Sequence, residues 1–159
     1  MEFIILFTTI LSCILFSISR EDIETMLISE NKLRIFAISG VFYLIYLGSS
    51  NDKINVIELI LNNSFSMLIV FLLMYSVHYV SYKLFRVNSL GMGDIKLSTI
   101  STLWLGIEFN FISLCISFLI SAIYSLHGKI FKGSKAFDQY PFAPFLSIGI
   151  FCSWILDKI

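Results

Sequence analysis

Two acids in this chain invite a chemical reading. Asp94 stands in Gly91-Met92-Gly93-Asp94-Ile95-Lys96-Leu97, where the sequence turns apolar again. Asp22 stands in Arg20-Glu21-Asp22-Ile23-Glu24, at the end of the first apolar run. A carboxylate at the mouth of a membrane span is costly, which makes it a functional candidate by default. Two carboxylates a few ångströms apart do not both ionise easily, so they share a proton and titrate as a pair. The ionised one takes a proton from water while the neutral one polarises a carbonyl. That chemistry needs no nucleophilic Ser, Cys or Thr, no metal and no cofactor. Gly91 and Gly93, two residues apart, permit tight backbone geometry and close approach of another chain.

The spacing alone leaves other partners open. Glu21, Glu24 and Glu30 crowd the first acid, and any of them could pair with Asp94 instead. The plainer reading makes all of them interfacial charges, with Asp22 capping a helix.

The elements that must position these acids are membrane helices. The chain has 159 residues, 57% hydrophobic and 14% charged, with a mean hydropathy of +0.88. Soluble domains are about a quarter charged, so this composition belongs to a polytopic membrane protein. The formal net charge of zero argues against a nucleic-acid partner, and membrane lipid is the expected surrounding. Cys13, Cys115 and Cys152 stand singly in apolar runs with no CxxC pair. A cysteine zinc site is therefore unsupported, and small buried hydrophobes are the expected role. His78 and His127 sit near the ends of apolar runs and read as interfacial or packed. The amino terminus lacks a basic region and a cleavage site, so residues 3–19 read as a retained span.

Apolar runs predict spans near 3–19, 33–47, 64–80, 95–107, 111–126 and 145–156, several of them short for a bilayer. Residues 54–61 show helical spacing and read as interfacial. Glu108-Phe109-Asn110 is the predicted break between the fourth and fifth spans. Lys and Arg concentrate in cytoplasmic loops. Six spans put nine of the 11 basic residues on one side, leaving Lys53 and Lys158 on the other. Five spans would divide the same 11 six to five. The expected fold is thus an all-α polytopic membrane helix bundle of about six transmembrane helices. Both termini lie outside, and residues 1–159 form one domain. Asp22 and Asp94 then share the cytoplasmic ends of their helices.

Three stretches resemble the type IV prepilin peptidases, the bacterial GxGD aspartyl proteases. Gly91-Met92-Gly93-Asp94-Ile95-Lys96-Leu97 fits the GxGDxKL motif without a gap. Asp22 with Ile28 and Ser29 looks like the segment in which Asp is followed by Ile-Pro. Pro141-Phe142-Ala143-Pro144-Phe145-Leu146 looks like the PFGPF-type start of the final span. The resemblance implies that Asp22 and Asp94 are a catalytic dyad in the bacterial inner membrane, facing the cytoplasm. The implied substrate is a prepilin or pseudopilin with a short basic leader ending in glycine, ahead of an apolar helix. Ser29 stands where the family usually has proline. The paired CxxC insert associated with N-methylation is missing here, so methyltransferase activity is unsupported.

Positioning roles follow as expectations. Gly91 and Gly93 let an extended substrate backbone approach Asp94. Lys96 lies two residues past Asp94, which points it away on a helix. It is expected to snorkel to the interface, with a substrate or lipid contact as the second choice. Glu21 and Glu24 are candidates to attract a basic leader. A homo-oligomer is compatible with the sequence. Two rival readings remain: a proton- or cation-coupled transporter subunit, and a non-catalytic pilus or secretion assembly protein. Acids near helix ends and the lack of an inverted repeat count against the transporter.

Overall fold

The computed structural model describes residues 2–50, 55–85, 90–132 and 140–159. Residues 51–54, 86–89 and 133–139 lie outside the described residues, and with them Lys53, Arg86 and Lys135, three of the basic residues used in the sidedness argument. Among the described residues the chain is all helix: α1 (Glu2–Thr25), α2 (Glu30–Ser49), α3 (Val56–Phe85), α4 (Met92–Ile100), α5 (Thr102–Lys132) and α6 (Ala143–Lys158). Four of them, α1, α2, α3 and α5, are long and apolar enough to cross a membrane. The polytopic helical bundle expected from composition is the architecture found.

Several boundaries move. The first helix runs on through the charged stretch to Thr25, so Asp22 lies on the last turn of α1 and not in a loop after it. There Met26 takes a left-handed φ of 54°, and its N–H donates to the Asp22 carbonyl at 2.8 Å. Residues 56–61 of the segment read as interfacial form the start of α3, continuous with the third span. The break between spans four and five falls not at Glu108-Phe109-Asn110 but at Gly106, whose φ of 69° and ψ of 178° turn the chain inside α5. That conformation is nearly closed to residues with a Cβ, and this decides where the turn occurs.

Beside its apolar core the bundle buries many small polar residues and exposes large apolar ones. Ser98, Ser101, Thr102, Asn110, Ser113 and Ser117 are buried, whereas large side chains such as Phe16, Leu27, Phe42 and Ile123 are exposed. Lipid is as apolar as leucine, so packing of small residues and interhelical polar contacts must hold such a bundle. Gly149 of α6 lies so close to α5 that a Cβ there would come within 2.4 Å of the Ser113 carbonyl oxygen. Cys13, Cys115 and Cys152 are exposed, which corrects the expectation of buried cysteines: in a membrane bundle an apolar side chain gains nothing by turning inward. An aromatic cluster fills part of the core, with Trp104 stacked on Phe36 and Tyr43 and its Nε1–H donating to the Phe36 carbonyl at 3.2 Å.

The short α4 packs against α2, α3, α5 and α6, and α6 also packs on α1. These contacts bring the end of α1 and the starts of α2, α4 and α6 to one end of the bundle.

Candidate active site

Both sequence-predicted acids are buried at that end. Asp94 occupies the first turn of α4, with Gly91 as the N-cap residue. Its Oδ2 accepts the Gly91 N–H at 3.3 Å. This is half a capping box: the acid reaches back to the N-cap amide, and glycine has no side chain to return the bond. The other oxygen, Oδ1, is buried with no hydrogen-bond partner among the described residues. A buried acceptor left unpaired costs about 1–3 kcal/mol.

Asp22 is held differently. Its Oδ2 accepts the Ala143 N–H at 2.9 Å, and the Phe142 N–H also acts on it. These amides open α6, where Pro144 stands within the first turn. The acid therefore caps a helix, but the foreign α6 and not its own. Both carboxylates sit at helix N-termini, where the macrodipole favours negative charge. Ser19 on α1 bonds Ser147 on α6 at 2.8 Å, clamping the same pair of helices a turn away.

Asp94 stands outside the four long spans. Burial pushes its carboxyl up to about 7, the Asp22 charge adds to the rise, and the Gly91 N–H opposes it. The two acids thus feel each other although α1 and α4 do not pack directly. A carboxyl raised this far is partly protonated near neutral pH.

The glutamates are engaged elsewhere. Glu21 lies 3.3 Å from Lys32 and accepts the Ser29 N–H at 3.2 Å. Glu24 pairs with Arg20 at 2.8 Å on the exposed face of α1. Glu30 pairs with Lys96. Lys96 is therefore turned away from Asp94, as its spacing predicts, and ties the start of α2 to α4. Glu21, Glu24 and Glu30 are thus each paired to a cation, and Asp22 is the carboxylate whose charge adds to the rise at Asp94.

The glycines serve close approach in two different ways. A Cβ on Gly91 would lie 3.1 Å from Asp94 Oδ2, so the bare residue leaves room for the carboxylate to fold back. A Cβ on Gly93 would meet Ile28 at 3.1–3.3 Å. The space over Gly93, expected to admit a substrate backbone, is filled by Ile28 from the α1–α2 connection.

Three participants were not read from the sequence as contacts: the amides of Phe142 and Ala143, the Ile28 side chain, and His78, which bonds the Leu90 carbonyl at 2.9 Å. The Pro141-Phe142-Ala143-Pro144 stretch was visible as a helix start, and its available N–H groups were the signal that it could receive an acid. Among the described residues no group of three or more His, Cys, Asp or Glu is placed to hold a metal ion.

No curated protein and no solved structure matches the chain. A family model described as the type IV leader peptidase family matches residues 9–126, which include both acids and the Gly91–Asp94 segment. The match ends before α6, so the amides that hold Asp22 lie beyond it. A match over most of the chain places it as a peptidase: it belongs to the type IV leader peptidase family.

Proposed function

We propose that this peptidase is an aspartic endopeptidase whose catalytic pair is Asp22 and Asp94. It removes the leader of a prepilin or pseudopilin at the cytoplasmic boundary of the bacterial inner membrane. The observation that carries this reading is the Oδ1 atom of Asp94, buried, without a partner among the described residues and under the influence of Asp22. An acceptor left open in this way suits a group that awaits water or a peptide. In the reaction, the ionised acid takes a proton from water as it attacks the scissile carbonyl. The protonated acid donates to the carbonyl oxygen, and on collapse of the tetrahedral species a proton passes to the leaving amine. A scissile bond inside a helix has its backbone groups satisfied, so it must be locally unwound before both acids reach it.

Ile28 and Gly93 bear on that approach. Their contact covers the edge of α4 next to Asp94, so the α1–α2 connection must shift for an extended peptide to lie there. Gly91 and Gly93 keep their role of admitting backbone, with Ile28 as the occupant to be displaced. Glu24 and Lys96 are left as secondary positioning groups, each already paired on an exposed face. Exposed pairs are weak, about 0–1 kcal/mol, so a basic leader can exchange into them.

The test is co-expression with a prepilin, following leader loss by electrophoresis. Asp22→Asn and Asp94→Asn are each expected to abolish cleavage while the protein stays in the membrane. Cleavage persisting in either variant would remove that acid from the reaction. Disappearance of both variants from the membrane would favour a purely structural role.

A further inference from the structure

We infer that His78 is a positioning residue that acts on Asp94 through a single peptide unit. The inference rests on Asp94 being one of the reacting acids. The carbonyl of Leu90 and the N–H of Gly91 belong to the same peptide bond. His78 Nδ1 lies 2.9 Å from that carbonyl oxygen, and that N–H donates to Asp94 Oδ2 at 3.3 Å. A carbonyl oxygen only accepts, so Nδ1 carries the donating proton. The peptide is planar and stiff, with its C=O and N–H pointing opposite ways. Holding one end therefore aims the other.

The two bonds form one chain from α3 to the acid: imidazole N–H to carbonyl, then amide N–H to carboxylate. Hydrogen bonds in series polarise one another, most strongly at low dielectric. A donor on the Leu90 carbonyl makes the Gly91 N–H a better donor to Asp94. Leu90 packs in the core while Gly91 and Met92 beside it are exposed. The imidazole ties the Leu90 end of the segment down to α3, and the α4 N-terminus is set from that anchor. His78 itself is only half-buried, with the Tyr75 ring 6.3 Å away, so its ring is not a core-filling group.

The donor and the bulk of the side chain are separable. Asparagine places its amide N–H close to where Nδ1 stands but lacks the ring. Phenylalanine keeps the ring and lacks the donor. Cleavage of a purified prepilin is measured in micelles for wild type and for His78→Asn, His78→Phe and His78→Ala, with rates normalised to folded protein. His78→Phe and His78→Ala are expected to lose roughly tenfold in kcat, the scale of one hydrogen bond, with KM little changed. His78→Asn is expected to recover most of kcat. The inference is overturned if His78→Phe matches wild type, if His78→Asn is as slow as His78→Ala, or if the losses fall in KM alone. Asp94→Asn runs alongside as a separate control. Residual cleavage there would bring down the assignment of Asp94, whereas an inactive Asp94→Asn with indifferent His78 variants would bring down only the positioning role.

Discussion

Asp94 uses its two oxygens differently. Oδ2 ties back to the N-cap amide, and Oδ1 is enclosed and unpartnered among the described residues. The fold thus holds this acid at a cost to stability, and the sign of the cost is testable. Burial raises its folded pKa from 3.8 to about 7. The stability contributed by the neutral acid is present in full below the unfolded value and is lost as pH rises through the folded one. Asp94→Asn is therefore expected to melt a few degrees above wild type at pH 8, with the gap closing toward pH 4. Equal melting temperatures at pH 8 would show that the carboxylate is solvated. A second residue-scale prediction concerns Gly93 and Ile28. Gly93→Ala sets a methyl 3.1 Å from Ile28, so it is expected to slow cleavage severalfold, and Ile28→Ala is expected to restore part of the loss. Simple addition of the two effects would show that they are not coupled. At this scale both acids were legible in the sequence because an acid beside an apolar run is anomalous. Ile28 was not, because one isoleucine among many carries no mark until the fold sets it on a glycine.

At the scale of elements, the connection from α4 into α5 sets the orientation of the Asp94 helix. Ser101 ends α4, and Gly106 turns the chain with φ 69°. Asn110 then reaches back. Its Oδ1 accepts from Ser101 Oγ at 2.8 Å, and its Nδ2 donates to the Ser98 carbonyl at 3.0 Å and to Thr102 Oγ1 at 2.7 Å. All of this is buried, so each group left unpaired carries its full desolvation cost. Asn110→Leu is expected to destabilise the bundle by about 1–3 kcal/mol, and Gly106→Ala by about 1–3 kcal/mol through backbone strain. Thermal unfolding in micelles checks both, and an unchanged midpoint for Asn110→Leu would remove the polar stitch from the account. The sequence placed a break at Glu108-Phe109-Asn110 because three less apolar residues interrupt a long apolar run. The turn lies at Gly106 because only glycine takes that φ easily, and Asn110 points inward to satisfy the helix end it follows. Composition located the interruption to within a few residues. It did not say which residue bends and which one stitches.

For the whole molecule, the organising fact is that α1, α2, α4 and α6 bring the acids and their supporting amides to one end of the bundle. The loop charges predict that this end is cytoplasmic. With the native cysteines replaced, a cysteine put at the exposed Leu27 is expected to react with an impermeant thiol reagent from the cytoplasmic side only. Labelling from the outer side alone would invert the topology. The helical, polytopic class was readable from composition, and the family from motif order. The capture of Asp22 by α6 was not, since Asp22 and Ala143 are 121 residues apart and neither residue type names the other. The central claim is that Asp22 and Asp94 act as one unit on one proton. The most direct measurement is the kcat of prepilin cleavage for Asp22→Asn, Asp94→Asn and the double variant, side by side. Residues that act together lose as much singly as jointly, so all three are expected to show the same residual rate. A single variant that keeps substantial activity, or losses that multiply in the double variant, would contradict the shared-proton pair.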